Sequence, residues 1–278
     1  MRKYIWVVFM FSAMALNGQD SSIVVQDTSV VVQDTSIPFV DSMLTYYRVQ
    51  KAKKITNTKV QKMFESKGLQ FPPKDIYWRG FKYEDELELW ARDSTNEPYQ
   101  HLKTYHICKG SGTHGPKRMR GDKQVPEGFY HIELFNPYSL FWLSFKVSYP
   151  NRSDSILGYK SKLGGDIYVH GNCMTIGCLP MTDSLINEIF WTSVLCQNEI
   201  GDSAKIPIHL FPIKMTDANM LILKKEFGRD YRRMSFWKNI KTGFKYFEEN
   251  RVIPVIEVND KGKYIYHVPI IQTKADTN

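Results

Sequence analysis

His170 and Cys178 are the two residues of this 278-residue chain best suited to act together. They lie eight positions apart in Asp166-Ile-Tyr-Val-His-Gly-Asn-Cys-Met-Thr-Ile-Gly-Cys178, just past an alternating stretch. A cysteine at its ordinary pKa is only a few per cent thiolate near neutrality, so a nucleophilic thiol needs a base beside it. His170, at the end of an expected strand, can take that proton. Gly177 lets the backbone turn sharply before Cys178, which presents the sulfur and leaves the amides of Gly177 and Cys178 for an oxyanion. The carbonyl of Gly171 is close enough in sequence to hold the imidazole in one tautomer, a task otherwise done by Asp or Asn. The histidine precedes the cysteine, the reverse of papain-type enzymes.

Two structural readings compete with catalysis. His170, Cys173 and Cys178 are ligand types for zinc, but structural zinc takes four ligands from two close pairs, and Cys196 and His209 stand far downstream. A Cys173–Cys178 disulfide is the second reading, reducible and able to regulate the site. Cys108 and Cys196 fall in apolar strand and helix patterns, where buried free thiols are expected. Gly110-Ser-Gly-Thr-His-Gly115 has dinucleotide-fingerprint spacing, yet Pro116 and a basic run follow where that motif needs a helix, so a hairpin turn is expected. Arg120-Gly-Asp122 and the acceptor pattern Asn151-Arg-Ser153 carry no weight alone. Neither a metal nor a cofactor is expected.

The elements that must position this pair alternate in period two. Ile76–Phe81, Glu86–Arg92, Leu102–Cys108, Gly128–Leu134, Leu140–Ser148 and Asp166–His170 read as half-buried strands. Apolar residues from Asp41 to about Lys67 recur at helical spacing, with Gly68 as a stop, and a helical stripe follows Asp183. A strand Ile206–Ile213, a helix from Asp217 to about Phe227 and a basic amphipathic stretch Phe236–Glu249 come next. Val252–Val258 and Tyr264–Val268 flank the hairpin turn Asn259-Asp-Lys-Gly262. The class is α+β, rich in strand and without repeated βαβ units.

The first residues describe a secretory signal peptide: Arg2 and Lys3, an apolar run from Tyr4 to Leu16, then Asn17, Gly18 and Gln19. The run is too short for an ordinary membrane-spanning helix. A seven-residue repeat follows, Val24-Val-Gln-Asp-Thr-Ser-Val30 and Val31-Val-Gln-Asp-Thr-Ser-Ile37, which cannot bury a face of its own and reads as a tether. Net charge is +8, and +6 once Arg2 and Lys3 leave, since residues 1–18 hold no acid. A mildly basic exported protein suits an anionic wall or membrane surface, whereas scattered charge and the compartment argue against nucleic acid. Four cysteines are too few to be the scaffold of so long a chain. The expected division is a signal peptide 1–18, a linker 19–40, a helical segment 41–75, a catalytic domain 76–215 and a C-terminal helical extension with hairpin 216–278.

The site stretch resembles the signature of the L,D-transpeptidase (YkuD-type) family, in which a His-Gly pair precedes Ser/Thr-x-Gly-Cys. Here these are His170-Gly171 and Thr175-Ile-Gly-Cys178. Gly115-Pro-Lys-Arg-Met-Arg-Gly-Asp-Lys-Gln-Val-Pro-Glu-Gly-Phe-Tyr130 is similar to the family's Gly-x-x-x-x-Pro-x-Gly-x-Tyr/Phe strand entry. Similarity runs from about Ile76 to Met215, in finer detail to about Tyr246. Phe145–Asn151 and Phe211-Pro-Ile-Lys-Met-Thr-Asp-Ala-Asn219 resemble the murein-acting, YafK-like branch. The chain departs from the common pattern in a shorter loop, in Ile176 at a histidine position and in Pro180 at the arginine position.

The resemblance implies an L,D-transpeptidase-like sandwich or barrel with flanking helices, acting in the periplasm or otherwise outside the cytoplasm on peptidoglycan stem peptides. The family arginine meets a substrate carboxylate; with Pro180 there, Lys117, Arg118 and Arg120 are alternative sources of charge, and Thr175 is a further candidate contact. Cys178 would form an acyl-enzyme and pass the acyl group to an amine. An amidase or peptidase finishing with water shares the first half, and a wall-attached protein is then a second partner. A non-catalytic wall-binding protein is the third reading. Membrane contact is expected only through the signal segment before cleavage.

Overall fold

Eight strands form one curled sheet, and helices cover its two faces. The computed structural model describes residues 37–159 and 162–269. The expected signal segment 1–18 and all of the repeat but Ile37 lie outside the described residues. In chain order the elements are helices α1 (Phe39–Leu44) and α2 (Tyr47–Glu65), then strands β1 (Asp75–Phe81), β2 (Glu86–Arg92) and β3 (Gln100–His106). Strands β4 (Gly128–Asn136) and β5 (Ser144–Val147), helix α3 (Arg152–Leu157) and the short strands β6 (Tyr168–His170) and β7 (Leu179–Pro180) follow. Helix α4 (Asp183–Ile200), strand β8 (Pro207–Phe211), helices α5 (Asp217–Phe227) and α6 (Tyr231–Asn250) and the hairpin β9 (Val255–Val258) and β10 (Tyr264–His267) complete the fold. The described residues belong to one compact unit.

The main sheet has the order β3-β2-β1-β8-β4-β5-β6-β7. Among the described residues only β1–β8 and β6–β7 pair parallel. Cys108, just past β3, donates its N–H to the carbonyl of Pro180 in β7 at 3.0 Å. The two edges of the sheet therefore meet, and it curls into a half-barrel. This limits the exposed edge that an open sheet would present.

One core fills the curl beneath α2 and α4, with Trp78, Phe145, Phe190 and Trp191 essentially inaccessible. Helix α4 is buried nearly all round from Ile186 to Gln197, as an apolar central helix requires. Its start is capped by the Thr182 hydroxyl, which accepts from the Leu185 N–H at 3.2 Å; such a cap contributes about 1 kcal/mol. A second core lies on the other face, where Trp237, Ile240 and Phe244 of α6 pack on Phe81 and Phe211. Arg79 fastens this layer: buried, it pairs with Glu248 of α6 at 2.7 Å and lies over the rings of Phe244 and Phe247. Among the described residues no helix is long and apolar enough to cross a membrane.

The structure corrects three sequence expectations. The single helix from Asp41 divides into α1 and α2 because Tyr46 is extended (φ −93°, ψ 124°), with its ring packed edge-on to Tyr138. The strand expected over Leu140–Ser148 shortens to β5 because Trp142 adopts φ 71° and turns its indole N–H to Asn187, at 2.7 Å. Residues 110–115 form an irregular loop, in which the Ser111 hydroxyl donates to the Lys123 carbonyl at 2.8 Å. Asn151 is a structural cap: it and Asp154 form a reciprocal capping box that starts α3.

Candidate functional site

The β6–β7 pairing places the two candidate residues. His170 stands opposite Pro180 and Val169 opposite Leu179. Cys178 immediately precedes β7, and its sulfur lies 3.5 Å from the Asp166 carbonyl in the segment that leads into β6. Strand rise and spacing put residues offset by two on neighbouring strands about 8 Å apart at Cα.

Each end of the intervening loop has its own anchor. A Cβ on Gly171 would meet the Asp183 carboxylate at 2.6 Å and the Phe141 carbonyl at 2.7 Å, so no side chain fits there. That Asp183 oxygen also accepts from the Asn172 N–H at 2.9 Å, holding the first turn against the start of α4. At the other end Gly177 adopts φ 136°, in a region that favours glycine. Between them Cys173 is joined to Cys108 by a disulfide.

That bridge corrects the expectation of a buried free thiol at Cys108. The two residues are remote in sequence, and the curl that brings β7 beside the end of β3 is what makes them neighbours. It also removes the Cys173 sulfur from both a zinc site and a pairing with Cys178. Cys178 and Cys196 are the free cysteines, the former partly accessible and the latter buried.

His170 is 2% exposed. Its Nδ1 lies 2.5 Å from the Gly171 carbonyl, and its ring stacks on Phe141 at 4.6 Å between centroids. The carbonyl can only accept, so Nδ1 is the protonated nitrogen and Nε2 carries the free lone pair. Burial lowers the His170 pKa, opposed by the Gly171 bond, so the ring is neutral near pH 7. Burial raises the Cys178 pKa, opposed by the Tyr168 backbone N–H and by Lys117, while Asp166 raises it further. The resting pair is thus thiol and imidazole, with the imidazole free to accept a proton. Cys178 lines a small cavity of about 30 Å³ together with Gly80, Lys82 and Val125.

The remaining sequence candidates are placed as follows. The Thr175 hydroxyl accepts from the Cys178 N–H at 2.9 Å and the Gly177 N–H at 3.2 Å, and donates to the Cys178 carbonyl at 2.8 Å. The two amides expected to be open to an oxyanion are therefore engaged, through the local side-chain-to-backbone bonding that threonine favours in turns. Lys117 is buried, with its ammonium 2.7 Å from Asp122. Arg118 pairs with Asp154 at 3.1 Å and lies over the Phe236 ring. Asp122 also accepts from the N–H groups of Arg118, Met119 and Gln124, so Arg120-Gly-Asp122 is a loop closure. Phe141, Asp183 and Cys108 were not singled out for the site. Asp183 was legible only as a helix start, and the other two are brought in by the fold.

A curled sheet with flanking helices, carrying His-Gly and Thr-x-Gly-Cys on its edge, is an L,D-transpeptidase-like domain. The sequence is 34% identical over 219 residues to YafK of Escherichia coli K12, named as a candidate L,D-transpeptidase, and equally to its counterpart in strain O157:H7. The alignment spans 77% of this chain and 82% of the relative. The chain belongs to the L,D-transpeptidase family, in its YafK-like branch. No protein-family model matches it. Among solved structures, the helical cell shape determining protein Pgp2 from Campylobacter jejuni aligns with a TM-score of 0.38 and 16% identity, over 72% of this chain and 80% of that one. Bd1075 of Bdellovibrio bacteriovorus aligns with a TM-score of 0.36 and 16% identity, over 69% and 79%. Family membership rests on the YafK identity, not on these distant likenesses.

Proposed function

We propose that the protein is an exported, cysteine-dependent acyl-transfer enzyme of the peptidoglycan layer, acting on stem peptides through an acyl-enzyme on Cys178. The observation that carries this reading is an unpaired, partly accessible Cys178 immediately before β7, the strand that pairs with β6 and its neutral His170, whose Nδ1 is pinned by a backbone carbonyl. The family supplies the chemical class. The Cys108–Cys173 bridge suits an oxidising compartment outside the cytoplasm.

As Cys178 attacks a peptide carbonyl, its thiol proton passes to His170 Nε2 and then to the departing amine, leaving a thioester. The acceptor next loses a proton through His170 as its nitrogen or oxygen attacks the thioester, and that proton returns to the Cys178 sulfur. Gly177 and Cys178 N–H groups serve the oxyanion once substrate binding turns the Thr175 hydroxyl aside. Lys117 acts through its field on the thiolate, not by touching substrate.

One observation bears on the donor, whether the acceptor is an amine or water. Pro180 holds the place of the family's carboxylate-binding arginine, buried in β7 with its carbonyl bound to Cys108. A donor whose carboxyl is already in amide linkage, as in a wall-attached protein, needs no such arginine. Purified protein incubated with defined muropeptides, with and without an acceptor amine, tests both readings. Cross-linked dimers mean transfer, and shortened or released peptides mean hydrolysis. Absence of any Cys178 adduct by intact mass, with no product, would overturn both.

A further inference from the structure

A second cavity, of about 820 Å³, opens where the loop after Gly115, the end of α3, the first turn of α6 and the β9–β10 turn converge. Consecutive residues divide it from the nucleophile: Val125 lines the Cys178 cavity and Gln124 lines this one. The Gln124 carbonyl in turn lies 3.2 Å from where a Cβ on Gly177 would be. A ligand in the larger cavity is therefore one loop strand away from the reacting sulfur.

Charge sets the kind of ligand. Arg118, Arg232, Arg233, Lys261 and Lys263 line the cavity, against the single acid Asp230. Arg118 and Arg233 are held in place, the first by Asp154 and the Phe236 ring, the second by Asp230 at 3.2 Å and the His114 carbonyl at 3.1 Å. Arg232, Lys261 and Lys263 are exposed and have no acidic partner among the described residues. Tyr159 and Tyr231, 66% and 82% exposed, stand beside them as flat apolar surfaces. Like charges gathered without counter-charges cost free energy unless an anion joins them. Their spread over three chain segments fits several separated carboxylates better than one compact anion. The volume suits a ligand larger than a single amino acid.

We propose that this cavity binds a multiply acidic peptide through its carboxylates, and that the peptide continues over Gln124–Val125 toward Cys178. Naming that peptide a peptidoglycan stem peptide rests on the proposed function; the carboxylate recognition does not.

The test uses the full chain with Cys178→Ala, which separates binding from turnover. A disaccharide tetrapeptide, the same compound with amidated carboxyls, and inorganic phosphate are titrated by calorimetry. Arg232→Glu/Lys261→Glu/Lys263→Glu should weaken tetrapeptide binding at least tenfold, and Arg232→Gln/Lys261→Gln/Lys263→Gln by a smaller factor. The amidated compound should bind the parent at least tenfold more weakly. Equal affinity of parent and both variants, confirmed folded by circular dichroism, would overturn the inference. So would phosphate binding tightly while the tetrapeptide fails to displace it, which would mark a phosphate site instead. Turnover of muropeptides by the wild type with no effect of the charge changes sinks this inference alone. Charge-dependent peptide binding with no acylation of Cys178 sinks the enzymatic reading alone.

Discussion

Replacing both Cys108 and Cys173 with serine removes the one covalent tie on the candidate site. The bridge spans 65 residues of sequence, from the end of β3 to the loop before Cys178, and encloses β4, β5, α3 and β6. The chain-entropy relation for a loop of that size gives about 4 kcal/mol of stabilisation, acting through the unfolded state. For a fold of this length each kcal/mol moves Tm by roughly 2–4 °C, so the double variant should melt about 8–16 °C below wild type. Reductant should lower the wild-type Tm by the same amount and leave the variant unchanged. Asp183 and Thr175 still hold the two ends of the loop, so its shape should largely persist at 25 °C and acylation of Cys178 should slow, not vanish. Non-reducing peptide mapping and thermal unfolding with and without reductant supply the measurements. A wild-type Tm indifferent to reductant, or a map joining Cys178 to either partner, would refute the reasoning.

Cys178→Ser should abolish thioester formation while shifting Tm by less than about 2 °C, because a hydroxyl of similar volume is a far weaker nucleophile; an unfolded variant would mark Cys178 as structural. Glu127 is inaccessible and bonds to Lys82 at 2.9 Å, the Gly115 N–H at 3.0 Å and the Trp237 indole at 2.7 Å. Glu127→Ala should cost about 3–5 kcal/mol in denaturant unfolding, since it strands a buried ammonium; a loss under about 1 kcal/mol would count against that role. His170 has its pKa lowered by burial, so protonation disables the base only below its ordinary 6.5. The acid limb of kcat/KM should therefore fall below pH 6.5, with the rate rising as pH increases through it. An acid limb above pH 7 would instead indicate an ion pair that needs the charged imidazole.

Much of the sheet was legible because strand alternation is a local signal. Glu86–Arg92 is β2 with the bounds its pattern implies, and the turn Asn259-Asp-Lys-Gly262 does join β9 to β10. The break at Tyr46 was not, since a helical stripe continues across it and only the Tyr138 ring, far along the chain, explains the turn. Within the candidate site, the spacing of His170, Gly171, Gly177 and Cys178 was readable, as was the proximity of the Gly171 carbonyl to the ring. The fate of the amides was not: whether Thr175 lies beside them or turns outward depends on loop geometry that residue types do not set.

What the chain alone determined is the chemistry within a dozen residues: a thiol, a base, the glycines that free the backbone around them, and the period-two pattern that builds their support. Those features come from covalent geometry and side-chain type, which act locally. Tertiary structure decided the rest. It chose Cys108 over Cys178 as the partner of Cys173 and stacked Phe141 on the base. It gathered basic residues from three separate segments around one cavity. Pairings across 65 or more residues depend on how the sheet curls and where its edges meet, which is a property of the whole packed core and not of any stretch within it.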